Sequence, residues 1–241
     1  MDRTNTGING LDEVLDGGFP KNRTIMVTGG PGSAKSTFCM QFLCNGAREY
    51  DEPGIYVTLG ESPKNLIDNL AYFDFGISDL VENNMLSFLD LSITAGERGG
   101  VFVSNKLDIN LLSKTLGAVK KKVGAKRIVI DPITAMIISL DISEIREKLT
   151  LFANFSNELE CTTLMTSEIP TGRDTISVFG VEEFVVDGVV IMHHIQQKDV
   201  KIRGIEILKM RGTDHGHRIY PMNFTKQGLE VSPEGRIFGE F

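Results

Sequence analysis

The stretch that most constrains this chain is a small-residue loop at positions 29–37. An apolar, strand-like run precedes it at residues 24–28, and a helical pattern of apolar residues follows it. The loop reads Gly29, Gly30, Pro31, Gly32, Ser33, Ala34, Lys35, Ser36 and Thr37. A strand, a glycine-rich loop and a helix with Lys-Ser at its start are the parts of a phosphate cradle. The sequence therefore predicts that residues 30–37 bind the phosphates of a nucleotide.

Two side chains at the predicted helix start define the chemistry expected of this loop. Its glycines let backbone N–H groups converge on a β-phosphate, and Lys35 reaches the β- and γ-phosphates as a mobile positive charge. We expect the Ser36 hydroxyl to bind Mg²⁺. Ala34 departs from the usual pattern, which has glycine before the lysine, but the grip on phosphate needs only its N–H group. The predicted ligands are ATP and Mg²⁺, as in P-loop NTPases.

Bulk composition narrows the class of protein. The length of 241 residues suits one α/β domain over positions 1–241. A formal net charge of −7 argues against a protein that acts on nucleic acid. Cys39, Cys44 and Cys161 have no paired spacing, so reduced thiols are expected. The start predicts no signal peptide and no apolar run is long enough to span a membrane, so the predicted location is the cytoplasm.

Strand-like and helix-like segments alternate along most of the chain. Predicted strands after the loop lie at residues 55–59, 86–91, 127–132 and 161–168. Predicted helices lie at residues 64–73, 109–122 and 142–160, the second with Leu111, Leu112 and Leu116 on one side. This alternation predicts a mostly parallel twisted sheet flanked by helices, with ligands at the carboxyl ends of the strands.

Three further segments complete the predicted organisation. Residues 6–20 read as a short amphipathic helix that ends at two glycines and a proline. The loop at residues 93–103 is long enough to suggest mobility. From residue 187 onward only strands are predicted, at residues 188–192, 203–210, 218–222 and 229–231. Short turns join these strands, which predicts an antiparallel extension on one edge of the parallel sheet.

Carboxylates follow the predicted strands. Asp131 ends the apolar run at residues 127–132, and P-loop enzymes place such a carboxylate where it orients the water ligands of Mg²⁺. Glu61 lies at the entrance of the predicted helix at residues 64–73. The strand at residues 161–168 ends in polar residues that could sense a γ-phosphate. The predicted metal-binding residues are Ser36 and Asp131.

Six separated motifs resemble one known family. Besides the P-loop, they are the opening Gly-Ile-x-Gly-Leu-Asp and Gly-Gly-x-Pro pattern within residues 6–20 and the segments at residues 52–58, 163–168, 179–184 and 206–215. In this order, from about Thr6 to Ser232, the chain resembles a single KaiC domain of the RecA-type P-loop ATPase superfamily, as found widely in archaea. The resemblance implies a RecA-like fold and ATPase activity.

The resemblance also implies how the nucleotide is held. KaiC domains form a hexameric ring with ATP between neighbouring subunits, so a homohexamer is expected here. Lys209 and Arg211 would then point at the γ-phosphate held by the next protomer and neutralise developing charge; from sequence alone they also fit a solvated strand face. Positions that match residues lining the same neighbouring nucleotide are Thr213, His215 and Thr225. Tyr72 matches a position near the adenine, where it could stack on the base, although a core aromatic fits equally.

Two departures from the family pattern affect the expected activity. The family presents two adjacent glutamates after the second strand, the first polarising the attacking water, whereas this chain has Gly60-Glu61. Either Glu61 acts as the base or hydrolysis is slow, because a lost general base costs about 10²–10⁴ in rate. Glu183 and Phe184 stand where the two-domain clock protein carries its phosphorylated Ser-Thr pair. A circadian oscillator is therefore not expected.

Three functions are compatible with these patterns. The prediction is an ATP-hydrolysing oligomeric switch that signals through a regulatory protein partner, with Lys35, Glu61, Lys209 and Arg211 as its catalytic residues. The first alternative is a non-hydrolysing ATP-binding scaffold, like the KaiC-like component of the archaeal motility motor, and Gly60 favours it. The second is a DNA-binding recombinase relative. It needs a basic loop after the strand at residues 161–168, and Arg173 is the only cation in residues 169–181.

Overall fold

The computed structural model describes residues 1–91, 109–137, 140–169, 175–197 and 199–237. The strands in these residues are β1 (Arg3–Thr4), β2 (Phe19–Pro20), β3 (Thr24–Gly29), β4 (Gly54–Thr58), β5 (Leu86–Asp90), β6 (Arg127–Asp131), β7 (Thr162–Glu168), β8 (Gly188–Gln197), β9 (Val200–Met210), β10 (Ile219–Thr225) and β11 (Gly228–Val231). The helices are α1 (Leu11–Val14), α2 (Lys35–Tyr50), α3 (Pro63–Asn69), α4 (Ile77–Glu82), α5 (Ile109–Val123), α6 (Thr134–Ile137), α7 (Ile142–Glu158) and α8 (Glu182–Val185). The predicted mobile loop at residues 93–103 and Arg173 lie outside the described residues.

Nine of the described strands form one sheet, in the order β11-β10-β9-β8-β3-β7-β6-β4-β5. Every neighbouring pair between β8 and β5 in this order is parallel. The pairs β8-β9, β9-β10 and β10-β11 are antiparallel. This arrangement confirms the predicted fold class, a mostly parallel sheet with an antiparallel C-terminal extension. The extension was predicted to begin with β8, which is wrong by one strand, because β8 pairs in parallel with β3.

Helices cover both faces of the sheet. On one face α2 is buried against the strands with α3 and α4, and its packing centres on Phe38 and Phe42. On the other face α5 and α7 bury apolar side chains that include Leu112 and Leu116. Leu111 was predicted on that buried side but is 63% exposed. The buried pair is four residues apart, the spacing that shares one helix face, and Leu111 falls beside that face.

The N-terminal segment differs most from its prediction. Residues 6–20 contain one helical turn, α1, and the short strand β2, which pairs with β1. Gly10, Gly17 and Gly18 all have positive φ angles, so these glycines turn the chain at both ends of α1 and prevent a longer helix. Helix α3 ends at Asn69, earlier than the predicted residue 73, and α4 was not predicted. In the described residues no helix has the length and apolarity needed to cross a membrane.

A buried ion pair fixes α2, which carries the P-loop, to the sheet. The Arg127 side chain on β6 is fully buried, and its Nε donates to Glu52 Oε2 at 2.7 Å. Its guanidinium also lies 4.5 Å from the centroid of the Phe42 ring and donates to the Phe42 carbonyl oxygen at 2.8 Å. A Cβ on Gly46 would lie 2.3 Å from Arg127 Nε, so glycine is needed there. Glu52 thus has a structural role in the motif at residues 52–58.

Candidate functional site

The P-loop turns sharply from β3 into α2. Ala34 precedes the helix with φ 77° and ψ 27°, a left-handed conformation that favours glycine. No side chain caps the start of this 16-residue helix. The first N–H groups of a helix lack partners within it, and their aligned dipoles attract anions. The loop and the uncapped helix therefore present the donors that a phosphate group needs.

Lys35 projects from the first turn of α2 back over the loop. Its Nζ donates to the carbonyl oxygens of Gly29 at 2.8 Å and Gly30 at 3.2 Å. Burial lowers the pKa of Lys35, while the negative charges of Glu168 and Asp131 oppose that shift. The two carboxylates therefore help to keep the ammonium charged beside the loop.

Asp131 lies at the carboxyl end of β6 and is held by neighbouring strands. Tyr56 Oη on β4 donates to Asp131 Oδ2, and Thr166 Oγ1 on β7 donates to Asp131 Oδ1. Burial, followed by the charge of Asp131, raises the pKa of Tyr56 well above its ordinary value, and a side-chain hydrogen bond with Ser36 opposes the shift. Ser36 and Asp131 both line one cleft with Tyr56. Hydroxyl and carboxylate oxygens are the ligands that Mg²⁺ uses, so this pair fits the metal.

Glu61 lines the same cleft. Asn69 Nδ2 on α3 donates to Glu61 Oε2 at 3.1 Å, and Thr58 Oγ1 donates to the Glu61 carbonyl oxygen. Partial burial, and then the negative charge of Asp131, raises the pKa of the Glu61 carboxyl, while the bond from Asn69 opposes the shift. The cleft has a volume of about 320 Å³, and its lining includes Pro31, Gly32, Lys35, Ser36, Tyr56, Glu61, Asp131 and Glu168. The structure therefore brings the predicted phosphate, metal and base residues together.

Gly60 leaves little space for a side chain. A Cβ at this position would lie 3.3 Å from Pro132 Cδ, which is a tight contact that a small shift of the proline ring could relieve. A side chain at position 60 would therefore require an adjustment of Pro132.

Tyr72 lies beside the turn between β10 and β11. The Tyr72 ring is 58% exposed, and Lys226 Nζ lies 4.0 Å from its centroid. The Asp74 N–H donates to the Lys226 carbonyl oxygen at 2.8 Å, which joins the segment after α3 to this turn. Thr225, at the end of β10, accepts from the Gln227 N–H at 3.2 Å in the same turn. Tyr72 and Thr225 therefore lie close together in one chain.

The remaining predicted residues lie at the other end of the parallel strands from the P-loop. Arg211 Nη1 lies 3.4 Å from Asp187 Oδ1, and Asp187 Oδ2 accepts from the N–H of Thr24, the first residue of β3. The P-loop follows the last residue of this six-residue strand, about 16 Å away along the sheet. Burial and the charge of Arg211 lower the pKa of Lys209, against the charges of Asp187 and Glu183.

Thr213 and His215 follow Arg211 on that far edge. Arg3 Nη1 donates to Thr213 Oγ1. The His215 ring is 4.9 Å from the His217 ring between centroids, and its Nδ1 lies 2.9 Å from the Gly216 carbonyl oxygen. Thr225 was grouped with these two residues in the sequence analysis, but the structure separates it from them and places its turn beside Tyr72.

Sequence reasoning missed the groups that hold the carboxylates. Tyr56 and Thr166 fix Asp131, and Asn69 contacts Glu61. Glu168, noted only as a strand-end polar residue, pairs with Gly29 in the register between β3 and β7. The available signal was that polar residues at the carboxyl ends of neighbouring parallel strands meet at one edge.

The sheet order, the loop geometry and the cleft are those of a P-loop nucleotide-binding domain with a RecA-type fold. A family profile described as "ATPase: KaiC" matches residues 4–236, and the chain belongs to the KaiC ATPase family. This membership confirms the resemblance seen in the sequence.

Relatives of this chain differ in length. The circadian clock oscillator protein KaiC of Parathermosynechococcus lividus is 38% identical over 234 residues, which cover 96% of this chain and 42% of that protein. The corresponding protein of Synechococcus elongatus is 36% identical over 234 residues, or 96% of this chain and 44% of that protein. This chain spans less than half the length of these relatives. A crystal structure of a KaiC-like protein from Pyrococcus horikoshii OT3 matches with a TM-score of 0.83 and 32% identity, covering 96% of this chain and 99% of that one.

Proposed function

We propose that this protein is an ATP-binding and ATP-hydrolysing switch whose nucleotide lies between subunits of a homohexameric ring. The observation that carries the proposal is the position of Lys209 and Arg211, at the sheet edge opposite the P-loop of their own chain. About 16 Å of β3 separates them from that loop, a distance that their side chains do not bridge. They can therefore reach only a nucleotide held by another copy.

In the proposed reaction a water molecule attacks the γ-phosphate in line with the leaving oxygen. Lys35 and the loop N–H groups hold the β- and γ-phosphates, while Lys209 and Arg211 of the next subunit stabilise the developing negative charge. Ser36 and Asp131 would hold Mg²⁺, which supplies charge neutralisation at the phosphates. Glu61, positioned by Asn69, would accept the proton of the attacking water.

The adenine site is proposed on the near edge, within the same chain. The exposed Tyr72 ring offers a stacking surface, and Thr225 lies in the adjoining turn. Thr213 and His215 remain on the far edge with Arg211, where they would face the neighbouring nucleotide. This assignment moves Thr225 from the neighbouring nucleotide to the nucleotide of its own chain.

The wider role is proposed from family membership. Residues 1–241 would act as one domain in the cytoplasm, and nucleotide-dependent changes of the ring would signal to a regulatory protein partner. A non-hydrolysing ATP-binding scaffold is the second candidate, and Gly60 favours it because the first family glutamate is absent. Nucleic acid is the least favoured partner, given the net charge of −7.

Steady-state phosphate release with ATP and Mg²⁺, measured beside the assembly mass with and without nucleotide, tests the proposal. An active ATP-stabilised hexamer whose turnover falls in a Glu61→Gln variant is expected. Tight ATP binding without turnover would favour the scaffold. A monomer with full activity would contradict the shared site.

A further inference from the structure

The hairpin of β8 and β9 extends beyond the P-loop edge of the sheet. Pairing between β3 and β8 ends at Gly29 and Met192, and β8 continues to Gln197 before β9 returns from Val200. Five further residues of extended chain project about 16 Å. The hairpin therefore forms a side wall next to the loop.

The inner face of this wall carries cations. His194 pairs directly with Arg203 across the hairpin, so their side chains lie on the same face, and Lys201 lies two residues from Arg203 on that face. Within the described part of the chain none of these three forms an ion pair with a carboxylate. By contrast His193, on the outer face, lies 2.7 Å from Glu206. A protein with a net charge of −7 thus keeps two unpaired cations, Lys201 and Arg203, beside His194 on one face of this hairpin.

Contacts locate this face between the loop and the proposed adenine site. The position that a Cβ on Gly32 would occupy lies 3.8 Å from His194 Cε1, so the imidazole borders the P-loop. The Arg203 guanidinium lies 4.6 Å from the centroid of Phe224, the residue before Thr225. The Phe224 ring in turn packs on Phe73, next to Tyr72, at 5.7 Å between centroids. A nucleotide that runs from the loop to Tyr72 would pass along this wall.

The hydrogen-bonding state of Arg203 points to an anion. Its Nε is buried and has no hydrogen-bond partner among the described residues. A buried donor without a partner is costly, and a guanidinium matches phosphate oxygens with two parallel donors. Burial, and then the charges of Arg203 and Lys201, lower the pKa of His194.

We propose that His194 and Arg203 bind the α- and β-phosphates of the nucleotide held by the P-loop of the same chain. The wall would then set the affinity for nucleoside diphosphates and triphosphates alike, while Lys209 and Arg211 of the next subunit act on the γ-phosphate. This inference rests on the proposed nucleotide binding. In this proposal the hairpin holds the nucleoside diphosphate product as well as the triphosphate substrate.

The test compares the affinities of the full-length protein for fluorescent ADP and fluorescent ATP. Arg203→Gln is expected to weaken both by about tenfold, because it removes a charge-assisted contact. Arg218→Gln is the matched control, since Arg218 also stacks on an aromatic ring of β10, Tyr220, at 4.9 Å, but at the other end of the strand. The control is expected to bind both nucleotides within twofold of the unmodified chain. Circular dichroism establishes that each variant is folded.

Each outcome has a defined meaning. Equal affinity of Arg203→Gln and Arg218→Gln for ADP would overturn the proposal, and a loss confined to ATP would overturn the assignment to the α- and β-phosphates. Failure of the unmodified protein to bind either nucleotide would instead overturn the proposed function. In an NMR titration the pKa of the His194 imidazole is expected to rise when ADP binds, because a phosphate favours the charged ring. An unchanged pKa would remove His194 from the site.

Discussion

Charged side chains at the two ends of the parallel strands are held in different ways. At the carboxyl ends of the parallel strands, called here the carboxyl edge, Lys35 and Asp131 are held by several neighbours, so their positions are set within one chain. At the amino ends of these strands, called the amino edge, Lys209 lies near the end of β9 and Arg211 directly follows that strand. The Arg211 side chain is 58% exposed. In the proposed reaction both sets of charges act on the same phosphates. In the proposed function each chain would supply two half-sites, which would be completed only by contact with other copies.

Removal of the amino-edge arginine is expected to have the largest effect. Arg211→Gln should lower turnover by about 10³, because a charge that acts only in the transition state is lost. ATP affinity should change little. Arg23→Gln is the matched control, since Arg23 Nη1 also lies near Asp187 Oδ1, at 3.8 Å. Equal rate losses in both variants would mean that Arg211 acts only through local structure.

Replacing Glu61, the proposed general base, is expected to have the next largest effect on turnover. Glu61→Gln should lower turnover by about 10² or more without weakening ATP binding, because a general base is lost. Gly60→Glu, whose Cβ can be accommodated by a small shift of Pro132, should raise turnover above that of the unmodified protein. Single-turnover phosphate release measures both variants. Full activity in Glu61→Gln would exclude this carboxylate as the base.

Glu182 connects the two edges, and its loss should mainly affect stability. This buried carboxylate accepts from Ser177 Oγ at 2.8 Å, from Ser167 Oγ on β7 at 3.5 Å and from the Val181 N–H at 3.1 Å. The Phe184 carbonyl oxygen, two residues on, accepts from Arg211 Nη2 at 3.3 Å. Glu182→Gln should cost about 2 kcal/mol of unfolding free energy because charge-assisted bonds are lost.

Denaturant unfolding of Glu182→Gln beside Glu183→Gln measures this cost. Glu183 is the matched control because its carboxylate shares the single proton of the Ser177 hydroxyl with Glu182 but contacts fewer other donors. A larger loss in the Glu183 variant would contradict the role given to Glu182.

The direction in which turnover changes with pH should show whether Glu61 acts as the base. A base must be deprotonated, so turnover should fall as pH decreases through the pKa of Glu61. Burial and Asp131 raise that pKa, so the fall should begin at a higher pH than for an ordinary glutamate. In Glu61→Gln this acidic limb should disappear. An identical limb in both proteins would assign it to another group.

The smallest expected effect concerns the loop itself. Ala34 has a φ angle of 77°, so Ala34→Gly relieves strain of about 1 kcal/mol, partly offset by the greater freedom of glycine in the unfolded chain. Thermal unfolding should show a small gain in stability, and ATP affinity should be unchanged. A loss of stability would show that the loop is not strained at this residue.

The sequence predicted the carboxyl edge better than the amino edge. The P-loop, Ser36 and Asp131 stand in local patterns that dictate a strand, a loop and a helix, so their meeting could be expected. The contact of Tyr56 with Asp131, the separation of Thr225 from His215 and the cations of the β8–β9 hairpin depend on strand order and register. These features pair residues far apart in the chain, which no local pattern specifies. The parallel pairing of β8 was missed for the same reason.

Mixing two inactive variants tests the shared site most directly. Lys35→Ala subunits keep an intact amino edge, and Arg211→Gln subunits keep an intact carboxyl edge. Random co-assembly in equal amounts should create intact interfaces at roughly one position in four, with turnover to match. Mixing Lys35→Ala with Glu61→Gln, which damage the same edge, should restore nothing. A mixture of the first pair that co-assembles by mass yet stays inactive would contradict the account.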